Sequence, residues 1–508
     1  MKKLSFIAIA AMLSQPLMAL THSDLLDNKR LTPIVASSVN ATQSKQVENL
    51  KEQLQTLKSG DTLILSPGRY QDLGIVEINA DNITIKAEKP GQAWLTGLVQ
   101  LVVKSNNVVI DGLVFTEGGP AERFGALRLE GDNNVLKNTT FKDFNHDYAY
   151  QPDERRQEYP KYLWISLWGK NAQLINNRFE AKYKRGTLIG VQKDETADNH
   201  IIKHNLFYSQ KPNQYNEFAI KEAIRYNGNS WEAIRVGDSK ASQFPSKTLI
   251  EENLFVDMDG EREMISLKSG ENIIRGNTIF NSASMISLRH GKANIVENNV
   301  ILGNNKQLTG GMRIYDEDHV IRNNYIAGTR GSEGDIKGNA DVRGGIVLNT
   351  GIIDVANGEK LDQSVKGKEL NKQWTPKNIT ITNNTIYDAD WGIVHGSQGH
   401  RVSLFDNKQV ENIYGGVDIH FADNFVMTTN EQQVAVRASE QFPLQKATYQ
   451  NERYIGQLIE AKQLNNYSLA TQGVKEKNSF FYLPQQGADV NQLKIMTTET
   501  VGPNYIIK

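Results

Sequence analysis

The sequence predicts an all-β fold, a right-handed parallel β-helix with an N-terminal capping helix. The main observation is a recurring segment: an aliphatic pair, a polar pair, an Asn, and then an aliphatic or aromatic residue. Examples are HIIKHNLF from His200, TLIEENLF from Thr248, NIIRGNTIF from Asn272 and NIVENNVIL from Asn294. The shared Asn stands at positions 253, 277, 299 and 324, at intervals of 24, 22 and 25 residues. These intervals lie in the range of solenoid coils.

Stacking explains why such a segment repeats. A short apolar strand, a turn residue and a second short strand cannot bury themselves alone, whereas stacked coils hide the inward aliphatic side chains. Stacking also lets equivalent Asn side chains bond to one another along the stack. In addition, Asn tolerates the left-handed backbone conformation that a sharp bend between strands needs. A β-propeller is the alternative architecture, but its blades need about 40 or more residues each.

The first residues predict export. Lys2 and Lys3 precede the apolar run LSFIAIAAML, and small residues lead to a cleavage point near Ala19, which is typical of a signal peptide over residues 1–19. The run is short for a membrane span and no later stretch reaches 18 apolar residues, so no membrane insertion is expected. We expect the mature protein in the periplasm of a Gram-negative cell or secreted. Cysteine is absent, which excludes thiolate catalysis and Cys zinc sites.

The rest of the chain divides into three predicted segments. Residues 20–80 hold the capping helix and the first strands. The helix is indicated by apolar residues at helical spacing, namely Val47, Leu50, Leu54 and Leu57, with Gly60 at its expected C-cap. Such a helix protects the open end of a sheet from aggregation. Residues 81–410 form the parallel β-helix, and residues 411–508 the last coils and a C-terminal cap.

The charges of the chain nearly balance, with 57 basic and 58 acidic residues. No overall basic field exists to attract a nucleic acid, so no nucleic-acid partner is expected. An anionic substrate would have to be held by a local cluster of residues.

The densest chemistry lies between Glu261 and His290. Glu261 and Glu263 are two apart, so in a strand their carboxylates point to the same side. A divalent cation such as calcium would neutralise the pair, because it prefers several oxygen ligands. A solvated strand edge is the alternative. Lys268 and the adjacent Arg289 and His290 complete the set.

Stacking predicts which residues meet this pair. WEAIRV from Trp231 and EREMISL from Glu261 share the pattern Glu, any residue, Ile, so Glu232 and Glu263 are expected at equivalent places on neighbouring coils. Asn229 would then lie near Glu261 and Glu263. One amide oxygen and two carboxylates make half of a calcium shell.

These residues resemble polysaccharide lyase family 6, the parallel β-helix lyases that include alginate lyases and the dermatan-cleaving chondroitinase B. The resemblance extends from the capping helix and SGDTLILSPGRY, through NVVIDGLVF, to the stretch just described. NGNSWEAIRVG resembles the family segment Asn-Gly-Gly-Glu-x-Ile-Arg-x-Gly, and EREMISLKS resembles its Glu-x-Glu followed five residues on by Lys. SLRHG resembles the Arg-His pair of the family.

The resemblance implies roles for six residues. Asn229, Glu261 and Glu263 would be calcium ligands, Lys268 the base, Arg289 the acid and His290 an auxiliary site residue. The chain departs from the family where Gly-Gly is usual, because it has Asn229, Ser230 and Trp231 there. Asn227 therefore remains a rival for the amide ligand.

The expected activity is calcium-assisted β-elimination on a uronate polymer, with alginate as the polymer and the protein acting as a monomer. Calcium on the uronate carboxylate would stabilise the enolate-like transition state while Lys268 takes the C5 proton. A dermatan sulfate lyase and a non-catalytic β-helical carbohydrate-binding protein are alternatives. A hydrolase of the pectinase kind would need clustered Asp residues, and the central coils offer Glu-x-Glu, Lys and Arg-His instead.

Five further residues have weaker assignments. Arg313 and Arg235 would grip sugar carboxylates or form ion pairs on the coil surface. Tyr226 and Trp231 would form a sugar-stacking wall or pack in the core. His319 stands in a repeat position and is expected to be structural.

Overall fold

The computed structural model describes residues 20–26, 43–145, 161–211, 230–331, 335–336, 339–340, 342–351, 373–397, 415–461, 464 and 473–505. The chain divides into two compact units. The N-terminal unit comprises Leu26–Ile273 with Met496–Lys508, and the C-terminal unit comprises Met1–Leu25 with Ile274–Ile495. The predicted signal peptide, residues 1–19, lies outside the described residues.

The N-terminal unit is a stack of coils whose strands form three parallel rows. The first row contains Thr62–Leu65, Thr84–Ala87, Val109–Asp111, Val135–Lys137, Gln173–Ile175, Ile201–Lys203 and Leu249–Glu251. The second row contains Gly68–Gln71, the first part of Ala93–Val103, Leu113–Pro120, Thr140–Lys142, Arg178–Lys182, Leu206–Gln210 and Leu254–Met258. The third row contains Gly74–Ile78, the last part of Ala93–Val103, Leu127–Leu129, Ile165–Leu167, Ile189–Val191, Ile234–Gly237 and Glu263–Lys268.

The C-terminal unit has the same three rows. The first row contains Ile273–Arg275, Ile295–Glu297, Val320–Arg322, Lys377–Thr382, Val417–Ala422 and Thr448–Gln450. The second row contains Thr278–Phe280, Val300–Leu302, Tyr325–Ala327, Thr385–Tyr387, Phe425–Met427 and Arg453–Ile455. The third row contains Met285–His290, Met312–Ile314, Ile346–Asn349, Trp391–Ser397, Val434–Arg437 and Gln457–Ile459. Two antiparallel pairs lie outside the rows, Asp335–Ile336 with Asn339–Ala340 and Lys475–Lys477 with Phe480–Tyr482. The predicted parallel β-helix is therefore confirmed.

A ladder of buried Asn side chains joins successive coils, as the repeat predicts. In the N-terminal unit the Asn177 side-chain amide donates to Asn205 Oδ1, and that of Asn205 donates to Asn253 Oδ1, each over 3.0 Å. In the C-terminal unit the same bonds connect Asn277, Asn299, Asn324, Asn384 and Asn424 in order. The amides of Asn205 and Asn299 also donate to a backbone carbonyl and accept from a backbone N–H, so all the hydrogen-bonding groups of these buried side chains have partners.

The sharp bend is made by a different residue from the ladder Asn. The residue just before it has the left-handed backbone conformation, with φ of 56° at Asn176, 55° at His204 and 57° at Asn298. The repeat pattern predicts that one Asn performs both tasks, whereas the structure divides them between neighbouring residues. One residue turns the chain, and the next inserts its amide between coils.

Inward side chains of the N-terminal unit also stack in register. Phe115, Phe141, Phe179, Phe207 and Phe255 follow one another on paired strands of the second row. Their ring centroids lie 4.3 to 5.6 Å apart, and all five rings are buried. Full burial of one such ring stabilises the fold by roughly 1.5 to 3 kcal/mol.

The predicted capping helix spans Gln43–Thr56 and packs on Gly68–Gln71 and Gly74–Ile78. It buries Leu50 and Leu54, each 3% exposed. Gly60 is not its C-cap, because the helix ends at Thr56 and Gly60 lies in the following turn with φ of 91°. A second, short helix spans His22–Leu25. No helix among the described residues is both long and apolar enough to cross a membrane.

The segment from residue 486 onward runs along the coils rather than adding to them. In the C-terminal unit it hydrogen-bonds in turn to successively earlier coils, at Asn451, Asp423, Thr385, Asn323 and Thr278. In the N-terminal unit Gly502 N donates to His204 O, and the Tyr505 hydroxyl donates to Asn138 O over 2.6 Å. The predicted segment 411–508 thus contains coils as far as Gln457–Ile459 and, later, this long strap.

The Asn ladder of the C-terminal unit ends on an acid. Glu452 Oε1 accepts from the backbone N–H and the side-chain amide of Asn424, each over 2.9 Å, and Tyr454 donates its hydroxyl to the same carboxyl group. Burial raises the pKa of Glu452 to about 7, although the bonds from Tyr454 and Asn424 oppose the rise and the charge of Asp423 adds to it.

This raised pKa predicts a pH-dependent stability. The folded state favours the protonated carboxyl, so its contribution is fully present below the ordinary value of 4.5 and is lost as pH rises through about 7. The whole loss amounts to roughly 3 kcal/mol. We expect the urea midpoint of the wild type to fall between about pH 5 and about pH 8, and that of Glu452→Gln to fall distinctly less. An equal fall in both proteins would contradict the assignment.

Candidate active site

The third row of the N-terminal unit brings the predicted acidic residues together. Ile234 pairs with Ile265 and Gly237 pairs with Lys268, so Glu232 and Glu263 occupy equivalent positions on adjacent coils, as the sequence pattern predicts. Both isoleucines are fully buried and point into the core. Because strand residues alternate, Arg235 and Lys268 both project on the side of the sheet opposite to these core side chains.

Glu232 is the best-connected acid of this group. It is 3% exposed, accepts a hydrogen bond from Thr187 Oγ1 over 2.7 Å, and places Oε1 3.7 Å from Lys268 Nζ. Burial alone would raise the pKa of Glu232, but the charges of Lys268 and Arg235 outweigh it and hold the pKa below its usual value. Glu232 is therefore a carboxylate that holds the Lys268 side chain.

Glu261 and Glu263 complete a cluster of three acids. Glu261 is partly buried and accepts from the backbone N–H of Trp231 over 2.9 Å, while Glu263 is 9% exposed and accepts from Ser266 Oγ over 2.7 Å. Burial and the nearby charges of Glu232 and Glu263 raise the pKa of Glu261 well above its usual range. Such mutual repulsion is what a bound cation would relieve.

The donor set suits a hard cation in its chemistry, because carboxylate oxygens are the ligands that calcium prefers. Over the described ranges, no three His, Asp or Glu residues converge on a single metal position. The predicted amide ligand Asn229, its rival Asn227 and the predicted sugar contact Tyr226 lie outside the described residues. The calcium ligand set therefore stays a prediction, supported by the closeness of Glu261 and Glu263.

Arg235 projects from the strand next to the acids. Its Nε is buried without a hydrogen-bond partner, and its charge acts on Glu232. Gly190 is the register partner of Arg235, and a Cβ there would lie 2.6 Å from Leu163 Cδ2 but at an ordinary contact distance, 3.6 Å, from Arg235 Nη2. Trp231 is 6% exposed, which assigns it to core packing rather than to a sugar-stacking wall.

The C-terminal unit holds the remaining predicted site residues. Arg289 lies with its guanidinium carbon 5.5 Å from the Tyr315 ring centroid, and both its terminal nitrogens donate to the Gln373 amide oxygen, over 3.1 and 2.9 Å, when that oxygen faces them. His290, the next residue, is 1% exposed. Successive strand residues point to opposite sides, so His290 lies beneath the surface that presents Arg289.

Arg313 is held on the next strand of that row. It is 3% exposed, donates from Nε to Ser287 Oγ over 2.8 Å, and lies 5.4 Å from the same Tyr315 ring. This burial excludes a solvated ion pair on the coil surface. Each of the two guanidinium groups thus lies within the distance range of a cation–π contact with Tyr315.

His319 is structural, as its repeat position predicts. Its Nδ1 accepts from the backbone N–H of Asn294 over 3.1 Å and its Nε2 contacts Tyr315 O at 2.8 Å. Burial lowers the pKa of His319 to about 4, so the ring is neutral at neutral pH.

Four partners of the site residues were not predicted as site residues: Thr187, Glu232, Tyr315 and Gln373. Glu232 had a signal, the pattern that WEAIRV shares with EREMISL. Tyr315 stands two residues after Arg313, a spacing that places it on the same side of the strand. Nothing in the sequence indicates that Thr187 contacts Glu232 or that Gln373 contacts Arg289. Each pair joins two coils between which the chain length does not follow the repeat.

The chain is similar to a known protein family and to solved structures. The family model described as Chondroitinase B matches residues 44–494. A solved structure described as a new PL6 alginate lyase complex with trisaccharide shares 61% identity, covers 95% of this chain and 97% of its own, and has a TM-score of 0.90. The alginate lyase AlyF-OU02, solved in complex with G6, shares 60% identity over 96% of this chain and 98% of its own, with a TM-score of 0.90.

A more distant structure extends the similarity of fold. The PL6 family alginate lyase AlyGC shares 21% identity over 92% of this chain and 57% of its own, with a TM-score of 0.67. No curated protein matches the chain. Because the family model covers most of the sequence and two solved relatives share about three fifths of their residues with it, the chain belongs to polysaccharide lyase family 6 and is a polysaccharide lyase.

Proposed function

We propose that this lyase cleaves alginate by calcium-assisted β-elimination, with Lys268 as the base and Arg289 as the acid. The observation that carries the proposal is the position of Lys268 Nζ, which lies 3.7 Å from the buried Glu232 and whose charge also acts on Glu261. A lysine at this place can act as the base once a cation held by the neighbouring carboxylates offsets their negative charge, because only a neutral amine accepts a proton.

The reaction consumes no water. Lys268 takes the proton from C5 of a uronate, a double bond forms between C4 and C5, and the bond from C4 to the glycosidic oxygen breaks. Arg289, or a water that it orders, protonates that oxygen. Because an arginine side chain is a poor acid, its main contribution is to stabilise the developing negative charge.

Calcium would be held by Glu261 and Glu263, with Asn229 or Asn227 as the amide ligand. When bound, it neutralises the uronate carboxylate and so makes the C5 proton more acidic. Glu232 has a different task in this scheme. Its hydrogen bond to Thr187 and its ion pair fix the direction of the Lys268 side chain.

Alginate is favoured as the polymer because the relatives with about 60% identity are described as alginate lyases. Dermatan sulfate is the second candidate, since the matching family model is described as Chondroitinase B. The signal peptide predicted over residues 1–19 supports a location in the periplasm or outside the cell.

The direct test of the base is the change Lys268→Ala. We expect the wild type to raise ultraviolet absorbance on alginate, from the conjugated alkene, and Lys268→Ala to lose this rise entirely, because no amine remains to accept the proton. Each protein is assayed with calcium and with chelator, and with dermatan sulfate in parallel. Lys247→Ala is the matched control, because Lys247 is an exposed lysine of the same unit, paired with Glu271. Full activity of Lys268→Ala would overturn the assignment of Lys268 as the base. An absorbance rise of the wild type on dermatan sulfate alone would show that dermatan sulfate, and not alginate, is the substrate.

The positioning role of Glu232 predicts a separate effect. In Glu232→Gln the amide retains the bond from Thr187 but loses the charge that holds Lys268. We expect kcat on alginate to fall roughly tenfold or more, with KM within about twofold of the wild type, since the orientation of the base matters in the transition state. Glu251→Gln removes a comparable Glu–Lys pair, Glu251 with Lys203 at 2.7 Å, and serves as the control. A loss no larger than that of the control would contradict the role of Glu232.

A further inference from the structure

An exposed tryptophan marks a second feature on the third row of the N-terminal unit. Three large hydrophobic residues are well exposed in the described part of the chain: Ile64, Ile75 and Trp168. Trp168 is the aromatic one, 38% exposed. It follows the strand Ile165–Leu167 directly.

The Trp168 ring is held rigidly. Its Nε1 donates to Ser166 Oγ over 3.0 Å, and Ser166 Oγ donates in turn to the backbone carbonyl of Phe124 over 2.5 Å. The Phe124 ring meets the Trp168 ring edge to face, with centroids 5.3 Å apart and planes at 77°. A ring fixed in this way loses little conformational entropy when a ligand packs on it.

Two arginines surround the rings. The guanidinium carbon of Arg128 lies 4.7 Å from the Trp168 centroid and 5.5 Å from the Phe124 centroid, and that of Arg123 lies 4.9 Å from the Phe124 centroid. Glu130 pairs with Arg128 Nη2 at 2.5 Å and so fixes the guanidinium. Arg128 Nε is buried without a hydrogen-bond partner. With two positive charges and one negative, the cluster keeps an excess of positive charge.

This chemistry matches an anionic sugar. The face of a pyranose ring carries C–H groups that pack on an aromatic ring, and its carboxylate is the group that a guanidinium binds. A neutral polysaccharide would have no use for the arginines, and a nucleic acid would need a wider basic field than this balanced chain provides.

The register of the third row connects this cluster with Lys268. Leu167 pairs with Val191, Val191 with Val236, and Val236 with Leu267. Trp168 directly follows Leu167, and Lys268 directly follows Leu267. The two residues therefore stand in the same line across the sheet, three strand spacings apart, which is about 14 Å.

We propose that Phe124, Arg128 and Trp168 form a distal binding site for a uronate residue of the same polymer chain whose reacting residue lies at Lys268. A pyranoside unit is about as long as one strand spacing, so the site would hold the sugar about three units from the reacting one. The inference rests on the proposed function for its polymer, and it adds a preference for long substrates. A trisaccharide is too short to occupy both places, whereas a hexasaccharide reaches both.

The test measures binding without turnover. In a Lys268→Ala background, isothermal titration compares Trp168 with Trp168→Ala, using the trisaccharide and the hexasaccharide of alginate. We expect Kd for the hexasaccharide to rise roughly tenfold, which corresponds to about 1.4 kcal/mol, and Kd for the trisaccharide to stay unchanged. Trp168→Phe should recover most of the affinity, because it keeps an aromatic face. Ile75→Ala, which truncates a residue of similar exposure on another strand of the unit, should behave as the parent.

Three outcomes would overturn the distal site. These are an unchanged Kd for the hexasaccharide, an equal loss for both oligosaccharides, or no binding of the hexasaccharide to the parent. The absorbance assay of wild-type protein on alginate, run alongside, separates the two claims. An absorbance rise with unchanged hexasaccharide binding refutes the distal site alone. Length-dependent binding through Trp168 without any absorbance rise refutes the lyase reaction alone and supports the site.

Discussion

In-register stacking of parallel strands is the constraint on which the rest of this protein depends. A buried Asn can use all its hydrogen-bonding groups only if the next coil presents another Asn at the same height, as Asn177, Asn205 and Asn253 do. Each such bond contributes about 1 kcal/mol net, but one left unmade costs about 1 to 3 kcal/mol. A slip of one residue would break the ladder and turn the inward side chains outward. The buried amides therefore fix the register, and the aliphatic and Phe stacks follow it.

The same constraint produces the chemistry of the site. Equivalent positions on adjacent coils lie about 4.8 Å apart, so Glu on two successive coils must face each other. Stacked amides attract, whereas stacked carboxylates such as Glu232 and Glu263 repel. Lys268, Thr187 and Ser266 limit this repulsion, and burial together with the remaining repulsion raises the pKa of Glu261. Elsewhere in the stack equivalent side chains attract one another, whereas these carboxylates repel. Such a local conflict is expected at a functional site.

The sequence predicted what depends on register and missed what depends on loops. The Asn spacing predicted the coils, and the shared Glu-x-Ile pattern placed Glu232 opposite Glu263, because both are periodic features. The burial of Trp231 and the contact of Gln373 with Arg289 could not be predicted, since both residues lie next to insertions of unequal length. Gly60 was misplaced because a glycine in a turn and one at a helix C-cap look alike in sequence. The strap from residue 486 onward has no repeat to reveal it, and its hydrogen bonds depend on coils far away along the chain.

The carboxylate cluster and Lys268 are proposed to carry out an elimination, in which no water enters the products. The most direct measurement is mass spectrometry of the products formed from alginate oligosaccharides of known length. An elimination gives one product with an unsaturated non-reducing end that is one water lighter than the saturated oligosaccharide of the same length, so the two product masses sum to the mass of the substrate. Two saturated products, whose masses sum to that of the substrate plus one water, would make the enzyme a hydrolase.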